Sequence, residues 1–512
     1  PPLQSADAEM IPAKATLDAR ARDMGRNDAY VQGGTQLRKD AIVGSMYMLN
    51  AKPNRAVLGW DQARVEAFQL EAEAKFQLWA DSPHKWVDAA RQNDLTEMIR
   101  LAVGVSVYGG EVLATVEWSK SNKREFQTMI QMIDPDRLHT PYDQMHDPNV
   151  RGGLRHNRFG ERVSAFIRTT HPSDYRMRLV DSLKYKEVGF VKPWGRPQVL
   201  HIREQKRVDQ TRAISDLASS LRELAITRQF RDVTLQNAVV NATYAASIES
   251  ELPSEVVFAQ MGASSASAGN QIADYAEDYL AGVGRYVNAS KGMNIDGVKV
   301  PHLYPGTKLN MSPAGTPGGV GQEFEQSLIR YVAASLNVSY EELSRDYSNT
   351  NYSSARAAML QTWRFMQSQK KIVADEFANT VWRLWLEEAV NKNMLESFPA
   401  SEAGTLYTKG HLNMMFDALS QADWIGAARG QIDELKETQA AVLRIKYGLS
   451  THEDELSRLG KDWRKVFEQK EREQADMEAK GIVLLEDNSV NAARGTPREQ
   501  EEDGTDADEP KQ

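Results

Sequence analysis

Two stretches of about forty residues contain neither glycine nor proline, and they restrict the folds that this chain can adopt. They cover residues 212–250 and residues 353–391. Leu217, Leu221 and Leu224 recur at helical spacing in the first stretch. A helix of about 39 residues would be roughly 58 Å long, whereas helices of globular domains average about 11–12 residues. The sequence therefore predicts two unusually long helices.

Helices of this length are stable only when their apolar stripe is covered along its whole length. The other predicted segments are too few to cover both helices within one chain. We therefore expect the missing neighbours to come from other copies of the chain. A closed ring of identical subunits would supply them.

The composition is typical of globular proteins, and a length of 512 residues predicts two to four compact units. No run of about 18 or more uncharged apolar residues is present, so we expect no membrane span. Cysteine is absent, which excludes disulfides, thiolate nucleophiles and cysteine-based zinc sites and fits assembly in a reducing cytoplasm. No signal peptide is visible, and the opening Pro1-Pro2 leaves open that an N-terminal stretch has been trimmed.

The net charge of −9 is unevenly distributed along the sequence. Residues 486–512 carry nine acidic and three basic side chains, a net of −6, so the rest of the chain carries only −3. A tail of this composition cannot bury enough apolar surface to fold, and we predict that it is disordered. Proteins that grip nucleic acid in a groove usually have a clear basic excess. If this chain meets DNA, we expect only a weak electrostatic grip.

The remaining patterns predict a mainly α fold with one α+β region, over about residues 40–205. Residues 61–80 and 96–110 have helical patterns. Four segments have the alternation and β-branched content of strands: residues 111–118, 125–133, 162–170 and 197–204. Further helices are predicted at residues 323–336 and across residues 411–481, with breaks at Gly448 and Gly460.

No segment has the pattern of a catalytic or cofactor site. Residues 315–321 are rich in glycine but lack the Gly-Lys-Ser/Thr of a phosphate-binding loop, so a flexible linker is the favoured interpretation. The nine histidines show no metal-ligand spacing. Asp134-Pro135-Asp136 could provide paired carboxylates for metal-dependent phosphodiester chemistry, but a turn is the more common role of this sequence. We expect neither a cofactor nor a metal.

The segment LNVSYEELSRDYSNTNYSSARAAMLQTW, from Leu336 to Trp363, concentrates polar side chains between two helical patterns. One interpretation is structural: Ser339 and Ser353 cap the two helices that follow them. The other is functional: four side chains present donors to a polar partner, namely Arg345, Asn349, Asn351 and Tyr352. Both can hold at once, because the caps would fix the backbone while other side chains project.

Several strings carry a family resemblance, and they occur in the order NATYAASIESEL, VPHLYPG, FEQSLIRYVAASLNVSYEELSRDYS, YSSARAA, and DWIG followed by IDELKE. With this order and spacing, the chain resembles the portal proteins of lambdoid tailed bacteriophages from about Asn27 to Phe467. The first ten to twenty residues and the acidic tail lie outside the resemblance. Many relatives have proline where this chain has Glu434, which leaves the start of the last helical region open.

The resemblance implies a non-enzymatic ring, usually of twelve subunits, at one vertex of the capsid, assembled in the host cytoplasm. Double-stranded DNA would pass through its centre during packaging and ejection, without sequence specificity. The implied partners are the terminase large subunit, the head-completion or connector protein, and the major capsid and scaffold proteins. No cofactor and no membrane partner are implied.

The resemblance also implies a portal-type subunit with wing, stem, clip and crown regions. The implied boundaries are an N-terminal extension at 1–26, an α+β wing at 27–211, the first stem helix at 212–250, the clip at 251–322, the second stem helix at 323–336, the tunnel loop at 337–352, the long wing helix and a connector at 353–410, the crown at 411–481 and an acidic disordered tail at 482–512. In such proteins the clip is where the terminase motor docks.

The implied tunnel loop would place its four donors beside the DNA. Because a ring multiplies every charge by its copy number, a basic lining would trap a duplex, and a nearly neutral lining would let it slide. We therefore expect transient phosphate contacts and no base readout from these donors. Arg356 is expected in the channel or at a subunit interface. It could pair there with one of three acidic residues of its own or a neighbouring chain: Glu341, Glu342 or Asp346.

Two other classes of function are open on the sequence alone. One is a scaffold or adaptor protein of the phage head without a channel, which images of the assembled particle would distinguish. The other is a metal-dependent nuclease, which a cleavage assay with magnesium or manganese would test.

Overall fold

We describe the protein from a computed structural model. The described residues are 2–121, 123–174, 184–244, 281, 293–295, 298–300, 320–348, 350–428, 430 and 434–482. Most of the segment 251–322 and the acidic tail beyond residue 482, for which we predicted a clip and a disordered tail, lie outside these residues. Within them the chain is mainly helical with small antiparallel sheets, which confirms the predicted fold class at that level. No helix in this part of the chain is long and apolar enough to cross a membrane.

The first half of the chain alternates helices with strands. Its helices are α1 (Ala6–Asn27), α2 (Ala29–Ile42), α3 (Arg55–Leu58), α4 (Gln62–Ala80) and α5 (Leu95–Gly109). Its strands are β1 (Met48–Ala51), β2 (Glu111–Trp118), β3 (Thr128–Ile133), β4 (Val150–Arg151), β5 (Leu154–His156), β6 (Arg162–Arg168), β7 (Tyr185–Gly189) and β8 (Val199–Arg203). The four predicted strands are confirmed as β2, β3, β6 and β8, and their ends are shorter by at most three residues.

Helices dominate the described residues from Leu221 onward. They are α6 (Leu221–Tyr244), α7 (Val320–Leu336), α8 (Tyr340–Ser344), α9 (Tyr352–Gln369), α10 (Glu376–Asn391), α11 (Met414–Leu419), α12 (Glu434–Lys446), α13 (His452–Arg458) and α14 (Trp463–Lys480). The strands are short: β9 (Met293–Ile295), β10 (Val298–Val300), β11 (Tyr407–Thr408), β12 (His411–Leu412) and β13 (Ala422–Ile425).

Aspartate side chains begin three of the first-half helices. Asp28, Asp61 and Asp94 precede α2, α4 and α5, and each carboxylate accepts a hydrogen bond from a backbone N–H of the first turn. These contacts satisfy N–H groups that have no partner inside the helix. α5 ends at Gly110 (φ 73°), where a Cβ atom would lie 2.2 Å from the carbonyl oxygen of Ile214. Only glycine fits there, because both the backbone angle and the space exclude a side chain.

Two small sheets lie beside these helices. One has the order β3–β2–β8, and its central strand is antiparallel to both neighbours, with Leu113 opposite Ile133 on one side and His201 on the other. The second sheet has the order β4–β5–β6–β7. Buried apolar residues from both sheets form a small cluster that joins them: Leu113, Ile133, Leu138, Leu154, Ala165, Ile167, Val188 and Val199.

The main hydrophobic core is built around α10. Eleven of the sixteen residues of this helix are buried. Trp382 and Trp385 stack with 5.5 Å between ring centroids, and Phe76 of α4 meets both edge-on at 5.3 and 5.4 Å. Such geometry suits the ring quadrupoles and adds to the area that is buried. The same core takes in residues from α1 to β13, so it holds most of the described chain together.

The first helix belongs to this core, although we expected residues 1–26 to be an extension. Ala21 is fully buried, and the ammonium of Lys14 donates to the carbonyl oxygens of Gly109 and Ala213 at 2.7 and 2.5 Å. Lys14 also pairs with Asp18 at 2.8 Å. Buried polar contacts, which a helical pattern does not reveal, therefore hold α1 in place. The boundary between extension and wing at residue 26 stays a prediction.

α6 and α7 form an antiparallel pair. Near one end the hydroxyl of Ser335 in α7 donates to that of Ser220, directly before α6, at 2.9 Å. Eleven residues further along α6, Arg231 pairs with Glu325 of α7 at 2.6 Å. Residue numbers therefore rise along α6 as they fall along α7. α7 begins three residues before its predicted start.

α6 begins at Leu221, nine residues later than predicted. The residues before it are held elsewhere: the buried guanidinium of Arg212 donates to Glu111 of β2 at 2.5 Å. A 3-10 turn at Asp216–Ser219 follows, with Ser215 as its cap. The predicted start at residue 212 was wrong because a buried ion pair between distant residues outweighs the local preference for helix.

The second predicted long helix is confirmed. α9, a π-helical turn at Lys370–Asp375, and α10 follow one another without a break from residue 352 to residue 391. Lys370 pairs with Asp375 at 2.8 Å across this turn, and the hydroxyl of Tyr47 donates to Asp375. The long helix is therefore attached at this turn to Tyr47, the residue directly before β1.

The predicted helical region at residues 411–481 starts later than expected. Residues 411–425 contain β12, α11 and β13, and β13 pairs with β1 so that Met48 lies opposite Ile425. The expectation was wrong here because a strand 377 positions away provides the hydrogen-bonding edge. From α12 onward the helices are confirmed, with breaks at Gly448 and Gly460, which both have positive φ.

Candidate functional site

The segment after α7, residues 337–351, connects the antiparallel pair to the long helix. Its first two residues close α7: the N–H of Asn337 donates to Ala334 and that of Val338 to Ala333, at 3.2 and 3.1 Å. Asn337 is left-handed (φ 54°), a conformation that asparagine tolerates better than most residues. The chain therefore leaves α7 through a defined turn.

The short helix α8 lies inside this segment and is fixed at its start. Ser339 accepts a hydrogen bond from the N–H of Glu342, and the Glu342 carboxylate accepts one in return from the N–H of Ser339. This capping box confirms the predicted cap at Ser339. Glu342 also accepts from the hydroxyl of Thr362 at 2.7 Å. The first half of the segment is therefore attached to α9.

Arg345 ends α8 in a left-handed conformation (φ 57°). Its side chain is exposed, and its guanidinium has no ion-pair or hydrogen-bond partner among the residues that the structure describes. Tyr347, two residues further on, is 47% exposed. A free guanidinium beside an exposed phenol provides donors that a polar partner can reach. The phosphate contact of Arg345 stays a prediction.

The acidic residues of the segment are engaged within it. Asp346 accepts hydrogen bonds from the N–H and the hydroxyl of Ser348, at 3.0 and 2.6 Å, and these bonds lower the pKa of Asp346. Glu341 accepts from the hydroxyl of Thr350 at 3.3 Å. Together with Glu342 in the capping box, these carboxylates shape the backbone of the segment.

Asn351 caps the long helix, and the predicted cap at Ser353 was wrong. The side-chain oxygen of Asn351 accepts from the N–H of Ser354 at 2.8 Å, because the helix begins one residue earlier than expected. The exposed amide nitrogen of Asn351 has no partner in the described part of the chain, so this residue can cap and still donate. Asn349 and the side chain of Tyr352 lie outside the described residues.

Arg356 contacts a residue that the sequence did not suggest. Its guanidinium lies 3.9 Å from the carboxylate of Glu437 in α12. Within one chain this contact replaces the expected pairing with Glu341, Glu342 or Asp346, whose carboxylates are held by the hydrogen bonds of the loop. A role of Arg356 in the channel or at a subunit interface stays a prediction.

Arg38, which is far away in sequence, contacts the residue directly before the segment. Arg38 of α2 donates from Nε and Nη2 to the carbonyl oxygen of Leu336, at 3.2 and 2.8 Å, and from Nη1 to Asp216 at 2.7 Å. Only 2% of Arg38 is exposed. We did not predict this contact, because an arginine in a helical pattern gives no indication of a partner 298 residues away.

One group of side chains in the described residues has the distances of a metal site. Ligand atoms of Asp134, Asp136 and His171 lie within 4.8 Å of one another. The guanidinium of Arg22 lies in the same place, 3.3 Å from Asp134 and 2.5 Å from Asp136. Burial alone would raise the pKa of Asp136, but the hydrogen bond and charge of Arg22 outweigh it and lower that pKa. A cation already balances these carboxylates, and Asp134 caps a turn, so the turn interpretation is confirmed.

The sequence matches one protein family and several curated relatives. The family model described as phage portal protein, lambda family, matches residues 1–370. The portal protein of Escherichia phage N15 is 33% identical over 485 residues, which cover 94% of this chain and 88% of the relative. Portal protein B of Escherichia phage lambda is 32% identical, covering 94% and 87%. The probable portal protein of Halomonas phage phiHAP-1 is 20% identical, covering 89% and 79%.

Solved structures to which the chain has a similarity include the neck of an empty GTA particle computed with C6 symmetry and the neck of a native GTA particle computed with C12 symmetry. The first has a TM-score of 0.37 and 12% identity, covering 84% of this chain and 89% of that chain. The second has a TM-score of 0.37 and 10% identity, covering 86% and 95%.

The family match includes the first residues of the chain, which the resemblance had left out. This agrees with the burial of α1 in the main core. Both the extent of the match and the identity to the relatives are sufficient to assign the family. The chain belongs to the lambda family of phage portal proteins, which are structural, non-enzymatic components of the capsid.

Proposed function

We propose that copies of this chain form a closed ring of twelve subunits, the number usual in such proteins, at one vertex of the phage capsid. Double-stranded DNA passes through the ring during packaging and ejection, without sequence-specific contacts. The terminase large subunit docks on the ring during packaging and is followed by the head-completion or connector protein. The major capsid and scaffold proteins surround the ring, which assembles in the host cytoplasm.

The observation that carries this proposal is the incomplete burial of the antiparallel helix pair. Large apolar side chains are exposed on both helices: Ile226, Val233, Leu235, Phe324 and Tyr331. Isolated exposed apolar residues are ordinary, but several on two adjacent helices indicate a surface that a partner covers. A closed ring gives every copy two neighbours, and these would cover both sides of the pair.

We propose a portal-type division of the subunit for the described elements. We assign α6 and α7 to the stem, with the clip between them, and residues 337–352 to the tunnel loop, whose last residue is also the first of α9. α9 and α10 form the long wing helix, and α12 to α14 form the crown. The two sheets and the first five helices form the wing. The tunnel loop then lies at the wing end of the stem, because it follows α7 directly.

The charges of the assigned channel elements suit a duplex that slides. α6 carries three arginines, one glutamate and one aspartate, a net of +1, and α7 carries one arginine and two glutamates, a net of −1. The tunnel loop carries one arginine, two glutamates and one aspartate, a net of −2. Each phosphate that a cation neutralises adds to affinity, so a ring with this lining holds DNA weakly.

Within the tunnel loop, four residues make transient contacts with phosphate oxygens: Arg345, Asn349, Asn351 and Tyr352. The exposed guanidinium of Arg345, without a partner in the described residues, supports this role. The free amide nitrogen of Asn351 supports it as well. Arg356 lies near the loop and either joins these contacts or pairs across the interface with a neighbouring chain.

Two other functions differ from that of a portal: a metal-dependent nuclease, and a scaffold or adaptor protein without a channel. A metal-dependent nuclease fails, because the family is non-enzymatic and Arg22 balances the one cluster of the described residues that has metal-site distances. A scaffold or adaptor protein without a channel differs from a portal in the shape of the assembled particle.

Electron microscopy and native mass spectrometry of the purified full chain test the proposal. We expect an annular species of twelve copies with a central hole wide enough for duplex DNA. Oligomers without a central hole, or a chain that remains monomeric under all assembly conditions, would overturn the proposal.

A further inference from the structure

We propose that Arg38 is the positioning residue of the tunnel loop, and that it fixes the loop together with Gly34 on the same face of α2. We call these two residues the α2 seat. That the loop which they position contacts DNA rests on the proposed function. That they hold the loop in place rests on the contacts within one chain alone.

Arg38 joins three elements at the point where the loop begins. Its guanidinium binds the carbonyl oxygen of Leu336 at the end of α7 and the carboxylate of Asp216 ahead of α6. It also lies 5.1 Å above the ring of Phe365 in α9. The end of α7, the turn before α6 and the long helix therefore all contact one buried side chain.

The chemistry at Leu336 explains why a cation is needed there. The last carbonyl groups of a helix have no partner within it, and they carry a partial negative charge. The N–H groups of Asn337 and Val338 satisfy Ala334 and Ala333, and Arg38 satisfies Leu336. Arg38 therefore completes the end of α7 at the residue from which the loop departs.

Asp216 provides the matching anion. Burial alone would raise the pKa of Asp216, but the charges and hydrogen bonds of Arg38 and Lys206 lower it below its ordinary value. The planar guanidinium of arginine can serve the carbonyl and the carboxylate at the same time. A lysine at this position could reach only one of them at good geometry.

Gly34, one helical turn before Arg38, is an independent sign that α2 supports the loop. A Cβ atom on Gly34 would lie 2.6 Å from the Cδ1 atom of Leu336 and 3.1 Å from that of Leu343 in α8. Glycine therefore allows both leucines to pack directly on α2. The neighbouring Gly33 has nothing within 4 Å of such an atom, so it provides a matched control.

The α2 seat holds the loop on both sides of Asn337 and leaves its tip free. Leu336 and Leu343 are buried, whereas Arg345, Tyr347 and Ser348 are exposed. The place of the Arg345 guanidinium relative to the wing is therefore set by contacts at the base of the loop.

Hydrogen exchange of the full chain, read by mass spectrometry without DNA, tests the positioning role. We expect R38Q, and R38K to a smaller degree, to speed exchange at residues 337–343 on the order of tenfold while exchange in α10 stays unchanged. The control is R196K. Arg196 is also buried and donates to the helix carbonyl of Leu384, but it does not touch the loop. R196K should leave exchange at residues 337–343 unchanged.

The glycine pair decides the matter if R38Q does not fold. G34A should speed exchange at residues 337–343, and G33A should not, although both replacements add the same methyl group to the same helix. Unchanged exchange in R38K and G34A would overturn the proposal, as would equal acceleration throughout the chain in R38K and R196K. Failure to form a ring, by contrast, would count against the proposed function only.

Discussion

The two halves of the long helix are equally regular but differ in what surrounds them. α10 buries eleven of its sixteen residues, whereas the described side chains of α9 that are buried are only Thr362, Met366 and Gln369. Helix propensity cannot account for this difference in burial, because both halves are helical. α10 runs through the core of its own chain, and α9 contacts the segment 337–351 through the hydrogen bond of Thr362 to Glu342. The side chains of α10 are covered within the chain, whereas those of α9 are covered, in our account, by neighbouring copies.

The same contrast separates the wing from the assigned crown. α12 and α14 bury no residue. Large apolar side chains of this region are exposed: Leu435, Val442, Leu443, Tyr447 and Leu449. Polar contacts attach α14 to the wing, with Arg464 donating to Glu73 at 3.1 Å and to Gln69 at 2.8 Å. A region held by polar contacts, with its apolar side chains uncovered, is what a subunit of a larger assembly should show.

Truncating a side chain in the self-contained half should have the largest effect on a single chain. Trp385 is fully buried and stacks on Trp382, so W385A should lower the free energy of unfolding by about 3–5 kcal/mol. W118A is the control, because Trp118 is 54% exposed, and it should cost less than about 1 kcal/mol. Urea denaturation measures both. Equal losses of unfolding free energy in W385A and W118A would contradict the claim that α10 is the helix stabilised within its own chain.

The polar attachment of α14 should make stability depend on pH. Burial raises the pKa of Glu73 from 4.5 to about 7, despite the nearby charge of Arg464. Between these two values the unfolded chain has released a proton that the folded chain keeps, so the contribution of Glu73 to stability falls as the pH rises through this window. The fall amounts to at most about 3 kcal/mol.

E73Q lacks the titrating group and should not show this fall. The difference between the unfolding free energies of the two proteins should therefore change from pH 4.5 to pH 8, because the natural chain loses the contribution of Glu73 and E73Q does not. Parallel profiles for the natural chain and E73Q would show that Glu73 does not titrate in this window.

Two replacements of Asn351 separate its capping role from its donor role. N351A removes the cap of α9 and should cost about 1 kcal/mol, whereas N351S keeps a capping oxygen and should cost little. Both remove the amide donor. Combined with N349A, each should leave ring formation intact and change DNA retention or packaged length equally. A change of DNA retention in N351A alone would assign Asn351 to the cap only.

The smallest effect on a single chain is expected on the exposed side of α6. Val233 and Leu235 are 55% and 66% exposed, so V233S/L235S should change the unfolding free energy of the monomer by at most about 0.5 kcal/mol per site. Ring formation should nevertheless fall clearly in native mass spectra. L78S is the control, since Leu78 of α4 is 76% exposed outside the proposed interface. Full ring assembly of the double variant would place the interface elsewhere.

Features that a local pattern determines could be predicted from the sequence. β2 has its predicted limits, because alternation and β-branched residues specify a strand locally. The cap at Ser339 and the unbroken helix from residue 352 were within reach for the same reason. The roles of Arg345 and Asn351 as donors to DNA, which rest on their place between two helices, stay predictions.

Features that depend on distant partners could not be predicted. The start of α6 is set by Arg212 and Glu111, which are 101 residues apart. The pairing of β1 with β13 and the burial of α1 likewise depend on contacts that periodicity does not encode. For the site, the loop was visible in the sequence and its support was not, since Arg38 meets Leu336 only in the folded chain.

Hydrogen exchange of the isolated chain and of the assembled species tests the central claim most directly. The claim is that the apolar side chains of α10 are buried within one chain, whereas the exposed apolar side chains of α6 and α7 are covered by neighbouring copies. We predict that amides of α10 are equally protected in both species, whereas amides of α6 and α7 become strongly protected only on assembly. Equal protection of all three helices in a stable monomer would contradict the account.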